Sequence, residues 1–336
     1  MAKFTFYLCV LACLYSEGFL YGDGIQLNGT VIREWYAHNQ GSGGDPEKYT
    51  NTFSLSLYGN KWKCKTSWGQ YSELMAYDGT NTYIQRQYPP PSAGPIYANS
   101  EKVTTGAARS GPSCVDGVNT TRVLWIAFCG GPSFNGASPW EGGHTNPIII
   151  PWGIPSLIGS EAMDYKVEWL DSAHWFPKNV KFLMSDVFYK KEIVEKGLDA
   201  SGAPYRDGDV TGEYNVSGSQ SIGEYNIPKK FECVHYMPTF WHRMEAYERW
   251  TGEVSEVHMM DDSWSLPPLR MLTCIADFRF ASAKRKWLEV MYHAPAGAWP
   301  GTNDPVVTSN LESAIKDYPQ AEKRMYGRLK PDTDPK

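Results

Sequence analysis

Short runs in which apolar and polar residues alternate, each closed by a turn-forming pair, constrain this chain more than any other feature. FSLSL at 53–57 sets Phe53, Leu55 and Leu57 against Ser54 and Ser56, and KWKCK at 61–65 alternates around Trp62 and Cys64. Gly59-Asn60 lies between them, so the pair reads as a hairpin. Asp78-Gly79 supplies a second turn, between Tyr77 and Tyr83. Region 24–88 therefore reads as a meander of antiparallel strands. The pattern returns after 164, in YKVEWL, VKFLM, MLTCIADFRF and WLEVMY. Period two in both halves implies antiparallel sheet with one buried face. No βαβ rhythm is visible, which argues against a doubly wound fold.

The tetrapeptide GEYN occurs twice, at 212–215 and 223–226. A solenoid needs a third copy, and none follows. Two arms of one hairpin fit better. With Val216 facing Tyr225 and Tyr214 facing Ile227, all four apolar side chains share a face. Ser219 to Ile222 would then form the tip, and Pro228 would end regular pairing.

The segment between the two halves behaves differently. Pro89-Pro90-Pro91 stops the meander, because proline brings no N–H to a ladder. VLWIAFC at 123–129 is a continuous apolar run, either a short buried helix or a core strand. Residues 89–163 read as an insertion of loop and short helix packed over the sheet. Near Ser309 the period changes to that of a helix, with Ser309 or Asn310 as its cap and Pro319 as its limit. The expected organisation is a signal peptide at 1–18, a β domain at 24–295 with the insertion 89–163, and a C-terminal helix with a flexible tail at 305–336.

The signal peptide is read from Lys3, the apolar run Phe4 to Leu14, and Ser16-Glu17-Gly18. That run has 11 residues, short of the ~20 a membrane helix needs. Val10-Leu11-Ala12-Cys13 also resembles a bacterial lipobox, in which lipidated Cys13 would hold the protein to a membrane. Export permits disulfides, and Cys114 with Cys129 is the favoured pair, against five buried thiols in the mature chain. No Cys-x-x-Cys occurs, which argues against a compact zinc or redox site.

The search for chemistry returns little. There is no nucleophile elbow, Walker loop, HExxH or dinucleotide fingerprint. His235, His242 and His258 with Asp261 and Asp262 would make a metal cluster only if the fold gathered them, and their spacing matches no usual ligand pair. Glu168, Asp186 and Glu224 would serve a glycosidase only if two came within ~5 to 9 Å. Trp62, Trp68, Trp169 and Trp175 could stack on sugar rings, although Trp62 and Trp169 sit on the apolar side of alternating strands and read as core. Sequons stand at Asn28, Asn119 and Asn215. The net charge of −5 argues against a nucleic-acid partner, which needs a clustered basic face.

FSLSLYGNKWKCKTS, YDGTNTYIQ and YNIPKKFECVHY together resemble exported bacterial proteins of the LolA/LolB-like half-barrel type. The resemblance spans 24–88 and 164–292. It implies a curved antiparallel sheet whose concave face holds acyl chains or another hydrophobic ligand. The residues expected there are Phe53, Leu55, Trp62, Tyr83, Phe182, Tyr214, Tyr225 and Phe231. A curved sheet must have its hollow filled, and Val123 to Phe128 and Ile148 to Ile158 are candidate plugs. The resulting expectation is a mainly β, single curved antiparallel sheet with a few short helices and a C-terminal helix. Its role would be non-enzymatic binding of a hydrophobic or lipid-like ligand outside the cytoplasm: periplasmic, outer-membrane-associated or extracellular. No cofactor, catalytic residue or metal ligand is assigned. The alternatives are a secreted carbohydrate-active hydrolase and a cell-surface interaction module.

Overall fold

The computed structural model describes residues 24–36, 45–59, 61–88, 103–110, 119–129, 164–171, 176–183, 208–238, 244–260, 264–282, 285 and 288–329. The signal and lipobox residues, Cys114, His242, Asp186, Trp175 and the stretch Ile148 to Ile158 lie outside this set.

The strands, in chain order, are β1 (Gly24–Trp35), β2 (Glu47–Tyr58), β3 (Lys61–Trp68), β4 (Tyr71–Tyr77), β5 (Asn81–Tyr88), β6 (Val103–Ser110), β7 (Asp164–Asp171), β8 (Phe176–Leu183), β9 (Val210–Ile222), β10 (Tyr225–Pro238), β11 (Met244–Met260), β12 (Thr273–Asp277) and β13 (Val290–Ala294). A short helix, α1 (Asn119–Leu124), widens into a π turn at Trp125–Cys129, and α2 (Pro305–Leu329) is the long C-terminal helix. All thirteen strands form one curved, unclosed sheet in the order β13-β12-β6-β5-β4-β3-β2-β1-β11-β10-β9-β8-β7. The two meanders, β1–β6 and β7–β11, are joined through the β1–β11 pair.

The local hairpins follow the sequence. Tyr58 pairs with Lys61 across Gly59, whose φ of 57° suits glycine. At the next turn Asp78 Oδ1 accepts hydrogen bonds from the Thr80 and Asn81 amides, each 2.7 Å. Gly79 follows Asp78 with φ 94°.

Four expectations need correction. First, the sheet is not wholly antiparallel, because β12 pairs β6 in parallel. Second, residues 103–110, inside the expected insertion, form β6, hydrogen-bonded to β5 on one side and β12 on the other. VTTGAARS shows no apolar alternation because small residues suffice there. Third, the GEYN copies do lie in one hairpin, but Tyr214 faces Cys233 and Val216 faces Phe231. The turn is Gly223-Glu224, with Gly223 at φ 55° and Ile222 pairing Tyr225. The second GEYN thus supplies the turn as well as the arm. Pro228 does not end pairing: irregularities between Pro228 and Phe231 absorb it, and β10 runs on to Pro238. The slip is an even number of residues, so Tyr214 still shares a face with Tyr225 and Ile227.

Fourth, α2 starts earlier and ends later than expected. Asp304 is its cap, with Oδ1 accepting from the Val306 amide at 3.0 Å, and Pro305 takes the first helical position. Pro319 lies inside the helix, on its exposed side.

The sheet has two apolar sides. On the inner face, α1 and the π turn are buried against β1–β5 and β8–β11. On the outer face of β12–β13, α2 packs through Val307, Leu311 and Ala314 onto Ile275, Val290 and Tyr292. Curvature follows from what α1 touches. Thr121 contacts Thr66 on β3 and Glu73 on β4, while Phe128 packs on Phe176 of β8 and Phe231 of β10. From β4 to β8 is seven strand steps, ~34 Å if flat. Residues 121 to 128 span only ~10 Å as helix. The sheet must wrap the helix. A bulge at Asn28/Gly29 in central β1 helps it bend.

Candidate functional site

The inner face can be followed row by row through the register. Nearest one end, Ile25, Leu57, Trp62 and Tyr77 stand side by side on β1, β2, β3 and β4. Leu27, Leu55, Cys64, Met75 and Ile84 form the next row. A central row holds Phe53 opposite Gly29, and the following one holds Phe231 opposite Gly252. Both rings lie flush on the glycines: a Cβ on Gly252 would come 2.1 Å from the Phe231 ring, and one on Gly29 2.7 Å from the Phe53 ring. Trp250, Cys233, Tyr214 and Val180 follow, across β11 to β8. The last row turns polar, with Glu248 and His235.

Six of the eight expected residues, Phe53, Leu55, Trp62, Phe182, Tyr214 and Phe231, belong to this one buried cluster, and Tyr225 packs against it partly exposed. Tyr83 does not. It pairs with Ala76 and Ala108 on the outer face, where its ring meets Trp299 at 5.0 Å. The hollow is filled by Val123 to Phe128, each no more than 3% exposed. The run is apolar all round because it is enclosed all round.

Polar groups inside this core fall into three sets. Glu73 is buried, yet bound: Arg86 Nε donates to it at 2.7 Å and the Thr121 hydroxyl at 2.7 Å. This carboxylate ties the first turn of α1 to the sheet, and sequence reasoning missed it. The signal was a glutamate at an inward position of a strand otherwise apolar on that side. At the polar end, Glu248 accepts from Arg33 and lies 3.8 Å from His235 Nδ1. Burial pushes the Glu248 carboxyl up, but the neighbouring His235 and the hydrogen-bonded Arg33 guanidinium outweigh it and hold it below the ordinary range. The third set, among the described residues, includes two buried donors without partners. The Tyr214 hydroxyl and the Trp62 indole N–H are buried with no hydrogen bond. Burial drives the Tyr214 phenol well above its ordinary pKa, so it stays neutral and able to donate.

The other candidates disperse. His258 lies on β11 near its C-terminal end, His235 lies on β10 opposite Glu248, and no group of three histidine, cysteine or carboxylate side chains that could hold a metal forms among the described residues. Glu168 is exposed and paired with Lys178 at 2.8 Å, and Glu224 sits in the β9–β10 turn. Trp68 stacks on Tyr71 at the β3–β4 hairpin, and Trp169 packs against the inner core. Cys64 and Cys233 are buried free thiols, and burial raises both pKa values.

No protein-family model matches the chain, and no curated protein matches it. Several solved structures are similar to it, two of them as follows. One is a DUF1329 family protein of Desulfovibrio piger, matched at 8% identity over 76% of this chain and 92% of that one, with a TM-score of 0.32. The other is a LolA superfamily protein of Nitrosomonas europaea, matched at 11% identity over 73% of this chain and 89% of that one, with a TM-score of 0.31.

Proposed function

We propose that this is an exported, non-enzymatic binding protein that takes a hydrophobic or lipid-like ligand on the inner face of its curved sheet. The observation that carries the reading is the inner face itself: a continuous apolar surface spanning nine strands, with the Tyr214 hydroxyl and Trp62 N–H buried in it unpartnered. An unmatched buried donor costs about 1–3 kcal/mol. A ligand with an apolar body and an acceptor atom would recover that cost and bury its own hydrocarbon. Phe53, Leu55, Trp62, Phe182, Tyr214, Tyr225 and Phe231 are the proposed contacts, reached when α1 gives way. Tyr83 leaves the set, being on the other face. The Glu73 carboxylate serves Arg86 and Thr121 and lends no support to hydrolysis. Export rests on the N-terminal sequence, as does membrane attachment through Cys13.

Native mass spectrometry of the purified protein, with titration of a fluorescent fatty acid, tests this reading. A co-purified lipid, or saturable binding weakened about fivefold by Tyr214→Phe, is expected if one hydrogen bond is lost. Neither a co-purified lipid nor saturable probe binding would overturn it.

A further inference from the structure

The face of β12 and β13 turned away from α2 carries soft donor atoms. Ile275, Val290, Tyr292 and Ala294 belong to the cluster under α2, so by alternation Cys274 and Ala276 on β12 and Met291 and His293 on β13 point the other way. Cys274 stands directly opposite His293, and Met291 opposite Ala276. Directly opposed residues hold their Cβ atoms ~4.5–5.5 Å apart, and a long side chain reaches across the diagonal to the next pair. Met291 can therefore reach the gap between Cys274 and His293, and the small Ala276 leaves that path open. Cys274 is a partly exposed free thiol, Met291 is 49% exposed and His293 is exposed. None of the three side chains has a hydrogen bond or ion pair with another described residue.

A thiol, a thioether and an imidazole on one surface select among metal ions. Sulfur ligands are soft and favour Cu(I). Structural zinc needs four ligands, and no third histidine, cysteine or carboxylate joins Cys274 and His293 among the described residues. Methionine supplies the third donor instead. The surroundings add little competing charge. Thr105 and Ala107 of β6 flank Cys274 and Ala276, and Arg86, one strand further, is neutralised by Glu73. Burial, and after it the Glu289 carboxylate, raises the Cys274 thiol pKa. The negative charge that disfavours a bare thiolate also attracts a cation.

We propose that Cys274, Met291 and His293 bind one Cu(I) ion in a three-coordinate site at the β13 edge of the sheet. The Cys274 sulfur, the Met291 thioether and a His293 ring nitrogen are the ligands. Copper enters as Cu(I), the Cys274 S–H proton leaves to water and a Cu–S bond forms, so nothing is oxidised or reduced. The site uses none of the groups assigned to the hydrophobic ligand.

Anaerobic titration of the full chain with Cu(I), in competition with a chromogenic Cu(I) chelator, tests the proposal. Alkylation by iodoacetamide, mapped to Cys274 by mass spectrometry, locates the ion and separates this site from the other thiols. Cu(I) is expected to protect Cys274, while Zn(II) at the same concentration does not. Cys274→Ser should lower the copper bound by one ion per chain. Met291→Leu and His293→Ala, exposed changes that leave metal-free melting unaltered, should each weaken the protection by about tenfold or more, since even the partners of metal ligands are worth that much. Cys274 left unprotected by Cu(I), or protected equally by Zn(II), overturns the proposal. Full protection retained in either Met291→Leu or His293→Ala overturns it too, because the three-coordinate site would lack that ligand.

Discussion

Single residues decide how closely the inner face packs. Gly252 has the clearest role, because the Phe231 ring occupies the place of its Cβ. Gly252→Ala should therefore destabilise the protein by about 1–3 kcal/mol, as overpacking does, read as a lower midpoint in denaturant. An unchanged midpoint would mean that the Phe231 ring has room to move. At the polar end the residue to test is Glu248. Its folded pKa is depressed, so its contribution is complete above the ordinary glutamate pKa and is lost as pH falls through the folded value. The stability gap between wild type and Glu248→Gln should thus be largest near neutrality and narrow below about pH 4. Thermal melts across pH 7 to 3 measure it, and a constant gap would sink the assignment.

Among the elements, α1 depends on one buried carboxylate. Removing Glu73 leaves Arg86 without its counter-ion in a mostly buried place. Breaking a buried pair costs about 3–5 kcal/mol, and the 27% exposure of the Arg86 side chain places Glu73→Ala at the lower end. Thr121→Val should cost less, about 1–2 kcal/mol, since it removes one hydrogen bond and leaves the Arg86 pair. Equal losses from the two substitutions would show that the tether to α1, and not the pair, carries the effect. The elements also show where sequence patterns stop being legible. The β2–β3 and β4–β5 hairpins could be read because alternation and turn chemistry are local, at Gly59 and at Asp78-Gly79. β5 misled for a physical reason: Thr82 to Gln85 are buried on both faces, between the inner core and the outer one. Alternation is lost there, so nothing in the run separates Tyr83 from Ile84.

At the scale of the molecule, two hydrophobic clusters sit on opposite faces of one sheet. The small one depends on α2. Val307→Asp should release that helix, so hydrogen exchange should rise in β12 and β13 while β1, β2, β10 and β11 keep their protection. Loss of protection throughout would mean that the two clusters unfold as one unit.

Much of the candidate site was legible as residue types: Phe53, Leu55, Trp62, Phe182, Tyr214 and Phe231 are all inward residues of alternating strands. What they face was not. The alternating runs specify strands, the turn pairs specify neighbouring hairpins, and both act within about ten residues. The register of β9 on β10 depends on the left-handed Gly223 and on irregularities around Pro228. The role of β6 depends on partners that tolerate small side chains. The union of the two meanders joins β1 to β11, more than two hundred residues away in the chain. The curvature and the enclosure of α1 follow from that union, and the burial of Tyr83 follows from Trp299 covering the outer face, because burial depends on what lies across a strand and period two records only which side it faces.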